Sequence, residues 1–267
     1  MSPLSGTWAL RVRTCECDGL GHVNNAVYLD YLQEATAEVW PTLGASSWAP
    51  RRLTLEYLAP ARPAEDLEVL AWPAGWDEAL PAAGYQVRGA GGRAILRGRI
   101  VWQGATAPLS DWGTGAPPGC LLPKDARPPG SLFPGRLFRW RHRVRHYELG
   151  LDGRVQAAHV LRWIEEAKFQ ACEQVGWSLA RLRREGIVIV QIRHDAAFLA
   201  PLPVGVEVEV TSRVCEMGRV RGCWQHEVLS GGECIATDYA AGAFLDASGR
   251  PCAPPQAMLE ALQANDF

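Results

Sequence analysis

The densest chemistry in the chain lies between Cys17 and Asn25. There Cys17-Asp18-Gly19-Leu20-Gly21-His22-Val23-Asn24-Asn25 sets a carboxylate, an imidazole and two amides within nine residues. Apolar or aromatic residues follow at Val27, Tyr31, Leu32, Ala35, Val39 and Trp40. This one-face spacing predicts a helix over about 25–40, with Asn24 or Asn25 as its N-cap and Pro41 ending it. A loop of this composition running into a helix N-terminus suits acyl transfer. The unpaired amides and dipole of a helix start stabilise a carbonyl oxygen as it becomes an oxyanion. A nearby carboxylate either activates water as a general base or attacks directly to give a mixed anhydride. A thiol leaving group, with an ordinary pKa of about 8.5, departs with little acid assistance, so a sparse site without a triad is adequate for a thioester.

The elements that position this loop occur twice. Residues 11–35, RVRTCECDGLGHVNNAVYLDYLQEA, lie over residues 143–167, RVRHYELGLDGRVQAAHVLRWIEEA, without a gap at an offset of 132, and ten of the 25 positions are identical. Ordinary composition gives roughly one or two. After a small insertion, Tyr57-Leu58-Ala59-Pro60 matches Phe198-Leu199-Ala200-Pro201, and Gly91-Gly92 matches Gly231-Gly232. Each half therefore reads as a strand (about 8–16 in the first), a glycine-containing loop, a helix, and then three or four strands near 51–58, 65–72, 84–90 and 93–103. The second helix is expected over about 158–175, with Gly176 as its stop. One helix followed by a run of antiparallel strands, used twice, predicts an α+β protein.

The motif D-x-x-G-H-V-N-N followed by A-V-Y-L-x-Y-L-x-E-A resembles the 4-hydroxybenzoyl-CoA thioesterase family and the acyl-ACP thioesterases, both of hotdog fold. The resemblance covers about 25 residues. It implies a double hotdog, each half a long helix wrapped by a curved antiparallel sheet, packed as an internal pseudo-dimer. It implies Asp18 as the catalytic carboxylate and a backbone N–H near Asn25 as the carbonyl-polarising donor. Plant-type acyl-ACP thioesterases read D-x-N-x-H-V-N-N with a downstream glutamate; here Asp18 and His22 match, Leu20 replaces the asparagine, and Glu56 falls at the glutamate position. The implied activity is hydrolysis of an acyl-CoA or acyl-ACP thioester, within fatty acid metabolism. The contrasting reading is a non-catalytic acyl or small-molecule binding protein on the same scaffold; a hotdog hydratase or dehydratase ranks last, because it needs a differently placed His and acid pair.

Each candidate also has a plainer role. Asp18 can be a turn residue, His22 can hydrogen-bond the loop, Asn24 and Asn25 can cap the helix, and Glu56 can be a surface residue in a strand. Tyr28 and Tyr31 suit helix-face packing or, with Asn24, contact with the substrate. The repeat supplies an internal control: the second half has Gly150 for Asp18, Arg154 for His22, Gln156 and Ala157 for Asn24 and Asn25, and Ala197 for Glu56. Asp152, two residues late, reads as a turn residue.

The predicted domains are 1–103 (motif-bearing), a Pro/Gly-rich linker over 104–135, 136–253 (degenerate motif) and a tail over 254–267. A formal charge of −2 lacks the cationic excess of a nucleic-acid binder. The N-terminus shows no leader pattern and no stretch is apolar enough for a span, so a cytoplasmic chain without membrane contact is expected. Eight cysteines without metal spacing read as free thiols, with Cys15 and Cys17 pointing to one buried strand face. No metal site and no cofactor is implied. The partners expected are an acyl-CoA or acyl-ACP substrate, with homo-oligomerisation left open. Arg136, Arg139, Arg141, Arg143 and Arg145 form one charged face, either solvated or facing CoA phosphates or an acidic carrier.

Overall fold

The structure, a computed structural model, describes residues 4–105, 112–124 and 133–263. The chain divides into two compact units, Met1–Asp125 and Ala126–Phe267. In unit 1, β1 (Gly6–Arg11) leads to α1 (Val27–Val39), followed by β2 (Ala49–Tyr57), β3 (Asp66–Asp77), β4 (Leu80–Arg88) and β5 (Ala94–Gln103). Its antiparallel strands lie in the order β1-β3-β4-β5-β2. Unit 2 repeats the series with β6 (Phe138–Arg143), α2 (Ala157–Gln174), a short α3 (Leu179–Arg184), β7 (Ile187–Phe198), β8 (Glu207–Met217), β9 (Arg221–Ser230), β10 (Glu233–Asp246) and a last α4 (Gln256–Leu262). Its order, β6-β8-β9-β10-β7, is the same one. Among the described residues no helix is long and apolar enough to cross a membrane.

α1 is held by most of the predicted stripe, with Val39 only half-buried and Leu29 added. Leu29, Leu32 and Ala35 of α1 are buried, as are Leu53 and Leu55 of β2, Val69 and Ala71 of β3, and Leu96 and Ile100 of β5. Contact between α1 and the sheet is close enough that a Cβ on Gly98 would stand 3.1 Å from the Leu32 Cδ1 and 3.2 Å from the Leu55 Cδ2. Pro41 does end α1, and the second helix stops at Gly176, whose φ of 79° suits a residue without a Cβ. At the far end of α1, Trp40, Trp48 and Trp112 pack with ring centroids 4.8 to 6.2 Å apart. Trp112 lies in the segment read as linker; its indole N–H donates to the Gly75 and Ala82 carbonyls. In unit 2, Met258 and Leu262 of α4 enter the core beside Phe138 and Trp177, so the segment read as a tail carries core residues.

Three local expectations are corrected. β1 ends at Arg11 rather than near 16, and residues 14–16 form a 3₁₀ turn because the Glu16 carboxylate accepts the Arg13 N–H at 2.6 Å. Cys15 is consequently exposed and Cys17 half-buried, so they do not share a buried strand face. All eight cysteines are free. The helix N-cap is Ala26, not Asn24 or Asn25; the Asn24 side chain instead accepts the Ala26 N–H at 3.0 Å, satisfying the turn just before the helix. On β6, Arg139 and Arg141 both pair with Glu209 of β8, which makes this part of the arginine face a salt-bridged ladder.

The interiors of the two units differ. Strand register makes Leu53, Ala71, Tyr85 and Gly98 of unit 1 equivalent to His194, Ser212, His226 and Asp238 of unit 2, and Thr36 of α1 equivalent to Lys168 of α2. Unit 1 thus has neutral groups there, linked by a Thr36–Tyr85 hydrogen bond of 2.6 Å and a Trp102 N–H donated to the Tyr85 hydroxyl. Unit 2 has a buried ionic group. His194 Nδ1 is 2.7 Å from the Asp238 Oδ2, its Nε2 is 3.8 Å from the Glu165 Oε1, and Lys168 donates to Gln191 at 2.5 Å. Burial opposes a charge on His194, but the Asp238 carboxylate and then Glu165 more than reverse this and push its pKa up to about 9. His226 faces Lys168 and His194; burial first, then those two cations, hold it well below the ordinary range and keep it neutral.

A histidine whose folded pKa is raised contributes stability that is complete below its unfolded pKa, about 6.5, and is lost as pH rises through the folded value. Unit 2 is therefore expected to lose stability between pH 6.5 and about 9, by at most on the order of 3 kcal/mol for this group. His194→Leu, which installs the residue of unit 1, should flatten that slope. Melting curves of both proteins across this range check it, and identical slopes would show that His194 is neutral in the folded chain.

Candidate active site

The loop before α1 is closed mainly by its own backbone. Cys17 and Val23 form an isolated antiparallel bridge, the Asp18 N–H donates to the His22 carbonyl at 2.9 Å, and the Gly21 N–H donates to the Asp18 carbonyl at 3.0 Å. The Asn24 N–H reaches the Glu16 carbonyl at 2.9 Å, and Val23 is tied to the Ala61 carbonyl at 2.9 Å. Gly21 takes a φ of 79° at the tightest point. These bonds fasten the carboxylate-bearing turn directly to the start of the helix.

On that frame Asp18 and His22 come together. The Asp18 Oδ1 accepts the Leu20 N–H at 2.8 Å, and Oδ2 lies 3.5 Å from the His22 Nδ1, which is also 3.4 Å from the Val23 carbonyl. Their side chains are 25% and 22% exposed, so both are partly open to solvent rather than in the core. Asn25 lies just ahead of the helix, where backbone N–H groups have no intrahelical acceptor, and its N–H donates to none of the described residues. Its carbonyl is held by the Tyr57 hydroxyl at 3.0 Å. A carboxylate, an imidazole and an amide without an acceptor among the described residues thus share one short loop, groups of the kind that activate water and hold an oxyanion.

The other candidates are placed differently. Tyr28 is buried, with its ring 5.8 Å from that of Tyr57 and 5.9 Å from that of Tyr31. Tyr31 is buried too, and its hydroxyl donates to the Glu16 Oε2 at 2.7 Å. Burial, and for Tyr31 the neighbouring Glu16, raise both phenol pKa values, so both remain neutral. Glu56 neighbours Tyr57 on β2, and strand alternation puts it on the face opposite Leu55 and Tyr57, away from α1. There it accepts the Lys124 N–H at 3.1 Å. Contacts made by Glu16 and Tyr57 were missed in the sequence. Glu16 had left a signal, being one of the ten positions identical in the repeat, with Glu148 as its counterpart.

The corresponding loop of unit 2 has the same backbone and none of these side chains. Leu149 bridges Val155, Gly150 N–H donates to the Arg154 carbonyl, Gln156 N–H to the Glu148 carbonyl, and Gly153 takes a φ of 74°. Asp152 accepts the Arg154 N–H at 3.0 Å, as a turn residue does. Where Tyr57 supports Asn25, unit 2 has Phe198 and Ala157.

Comparison with known proteins adds to this geometry. Residues 5–104 match the acyl-ACP thioesterase C-terminal domain family, and residues 144–262 match the thioesterase-like superfamily. Each half matches a thioesterase family. Among solved structures, a protein from Lactobacillus plantarum named as an oleoyl thioesterase superposes with a TM-score of 0.71 at 12% identity, covering 94% of this chain and 97% of its own. An acyl-ACP thioesterase from Bacteroides thetaiotaomicron (TM-score 0.66, 16% identity, 89% of this chain and 97% of its own) shares the fold. So does the 12:0-ACP thioesterase of Umbellularia californica (TM-score 0.66, 11% identity, 91% and 95%). At these identities the likeness establishes a thioesterase-type α+β fold. No curated protein sequence matches significantly.

Because Gly21 and Gly153 both take a left-handed φ with open space around the missing Cβ, the cost of a side chain at either is backbone strain alone. Gly21→Ala and Gly153→Ala should each destabilise by about 1–2 kcal/mol. Urea unfolding measures this, and a loss below about 0.3 kcal/mol at either would show that its loop relaxes out of the shape described.

Proposed function

We propose that unit 1 hydrolyses an acyl-CoA or acyl-ACP thioester, with Asp18 as the reacting carboxylate and the Asn25 N–H as oxyanion donor. The observation that carries this is the loop present in both units: one backbone closure, with Asp18 and His22 on it in unit 1 and Gly150 and Arg154 in unit 2. As general base, Asp18 takes a proton from water while the water oxygen bonds to the acyl carbon. The C–S bond then breaks, the thiolate leaves and takes up a proton, and the acid is released. As nucleophile, Asp18 attacks the acyl carbon, the C–S bond breaks and the thiolate leaves and takes up a proton, and water then hydrolyses the mixed anhydride to the free acid and the Asp18 carboxylate. His22, at 3.5 Å, orients the carboxylate in either case.

The architecture that accompanies this reading is a double hotdog, with the chemistry in the first half and a degenerate second half. Glu56 faces away from α1, so it supports the site only by what approaches that other face of β2. A non-catalytic acyl binder is the contrasting reading. In its favour, Asp18 fills a turn role that Asp152 fills in unit 2.

Thiol release from a panel of short, long and aromatic acyl-CoAs and acyl-ACPs separates the two. Asp18→Asn keeps size and polarity and should cost at least ~100-fold in turnover. Asp152→Asn should stay within about threefold, a barrier change below ~1 kcal/mol. Saturable acyl binding without thiol release from any substrate would favour the binding protein, and full activity in Asp18→Asn would reject the carboxylate mechanism.

A further inference from the structure

Glu16 stands two residues before Asp18, and its contacts reach both ends of the loop. Its carboxylate accepts the Arg13 N–H at 2.6 Å and the Tyr31 hydroxyl at 2.7 Å, both on Oε2, and the Arg13 Nε at 2.9 Å on Oε1. Its carbonyl accepts the Asn24 N–H at 2.9 Å. The Glu16 side chain is only 11% exposed. One residue thus ties the turn after β1, the second turn of α1 and the start of that helix to a common point.

Unit 2 keeps this interaction while changing its chemistry. Glu148 accepts the Arg145 N–H at 2.6 Å, and its donor from the helix is the Trp163 indole N–H at 2.8 Å, at the position equivalent to Tyr31. His142 adds a third contact at 2.9 Å. Burial works against the Glu148 charge, yet these donors hold its pKa below the ordinary carboxylate range. The acceptor has stayed and the donor has been exchanged, which marks the link between turn and helix as the retained feature.

We propose that Glu16, locked by the Tyr31 hydroxyl, is a positioning residue that fixes the Asp18 carboxylate relative to the Asn25 N–H. This rests on the thioesterase reading above. If the lock is lost, the main-chain bonds still keep the loop closed, but the turn bearing Asp18 loses its side-chain tie to the second turn of α1 and shifts relative to it. Catalysis then suffers through misalignment at the reacting atoms, with ground-state binding largely preserved. Unit 2 has the same lock and Gly150 at the Asp18 position, so it serves as a matched control within the same molecule.

The experiment compares Tyr31→Phe, Glu16→Gln and Glu148→Gln in the full chain, with wild type and Asp18→Asn alongside, on one good substrate, with melting temperatures for each. Tyr31→Phe and Glu16→Gln are expected to lower kcat about tenfold with KM within about threefold, the effect of losing one hydrogen bond to a charged group. Glu148→Gln, the same chemical change in the same kind of loop, should leave kcat within about twofold. Unchanged kcat in both unit 1 variants would overturn the proposal, as would an equal loss in Glu148→Gln, which would mark the clamp as a stability element only. Absence of thiol release from wild type, or full activity in Asp18→Asn, would instead strike the thioesterase reading itself.

Discussion

A helix packed against a sheet must be entered from a loop of fixed course, and in this protein that loop is closed mainly by main-chain hydrogen bonds. The Asn24 N–H goes to the Glu16 carbonyl and the Val23 N–H to the Ala61 carbonyl; in unit 2 the Gln156 and Val155 N–H groups do the same with Glu148 and Leu202. Because the main chain supplies the closure, the loop stands without the side chains of Asp18, His22 and Asn25, as Gly150, Arg154 and Ala157 demonstrate. The fold therefore leaves those positions open to chemistry. What remains to be fixed is orientation, and there the carboxylates of Glu16 and Glu148 act, reaching back to the turn and across to the helix.

Much of the architecture was legible because it repeats and because it is periodic. The two helices, the run of strands after each and the turn glycines at 91, 92, 231 and 232 follow from apolar spacing and from residues that tolerate positive φ, whereas the strands expected over 65–72 and 84–90 stop short of the hairpin, in which β3 and β4 run to a turn at Glu78 and Ala79. Features made by a side chain folding back on the main chain were not legible. Alternation could not say that β1 stops at Arg11, because the stop comes from a carboxylate five residues later capturing the Arg13 N–H. The Asn24 side chain caps one turn earlier than the pattern suggested for the same reason. The opposite facing of Glu56 and Tyr57, by contrast, was implicit in their adjacency on a strand. Motif position had drawn attention to Glu56, whereas geometry draws it to the hydroxyl of Tyr57, which holds the Asn25 carbonyl.

The two units also show that one backbone tolerates two kinds of interior. Thr36, Tyr85 and Gly98 make a neutral, close-packed contact between helix and sheet, whereas Lys168, His226 and Asp238 at the same places carry or border charge. Burying ions in this way seldom adds net stability over an apolar core of similar volume. The ionic group in unit 2 is thus a departure from what the fold requires.

Trp112 bears on where this chain can be divided. It follows the last strand of unit 1 by nine residues, yet its ring packs against Trp40 and Trp48 and its N–H caps two carbonyls of the sheet. A fragment cut at the end of β5 would strip the aromatic cluster of one member and leave the Gly75 and Ala82 carbonyls without that donor. A fragment carried through Lys124 would keep its own plug. The structural boundary of the first half is therefore set by a side chain that returns to it, nine residues beyond the last strand of its sheet.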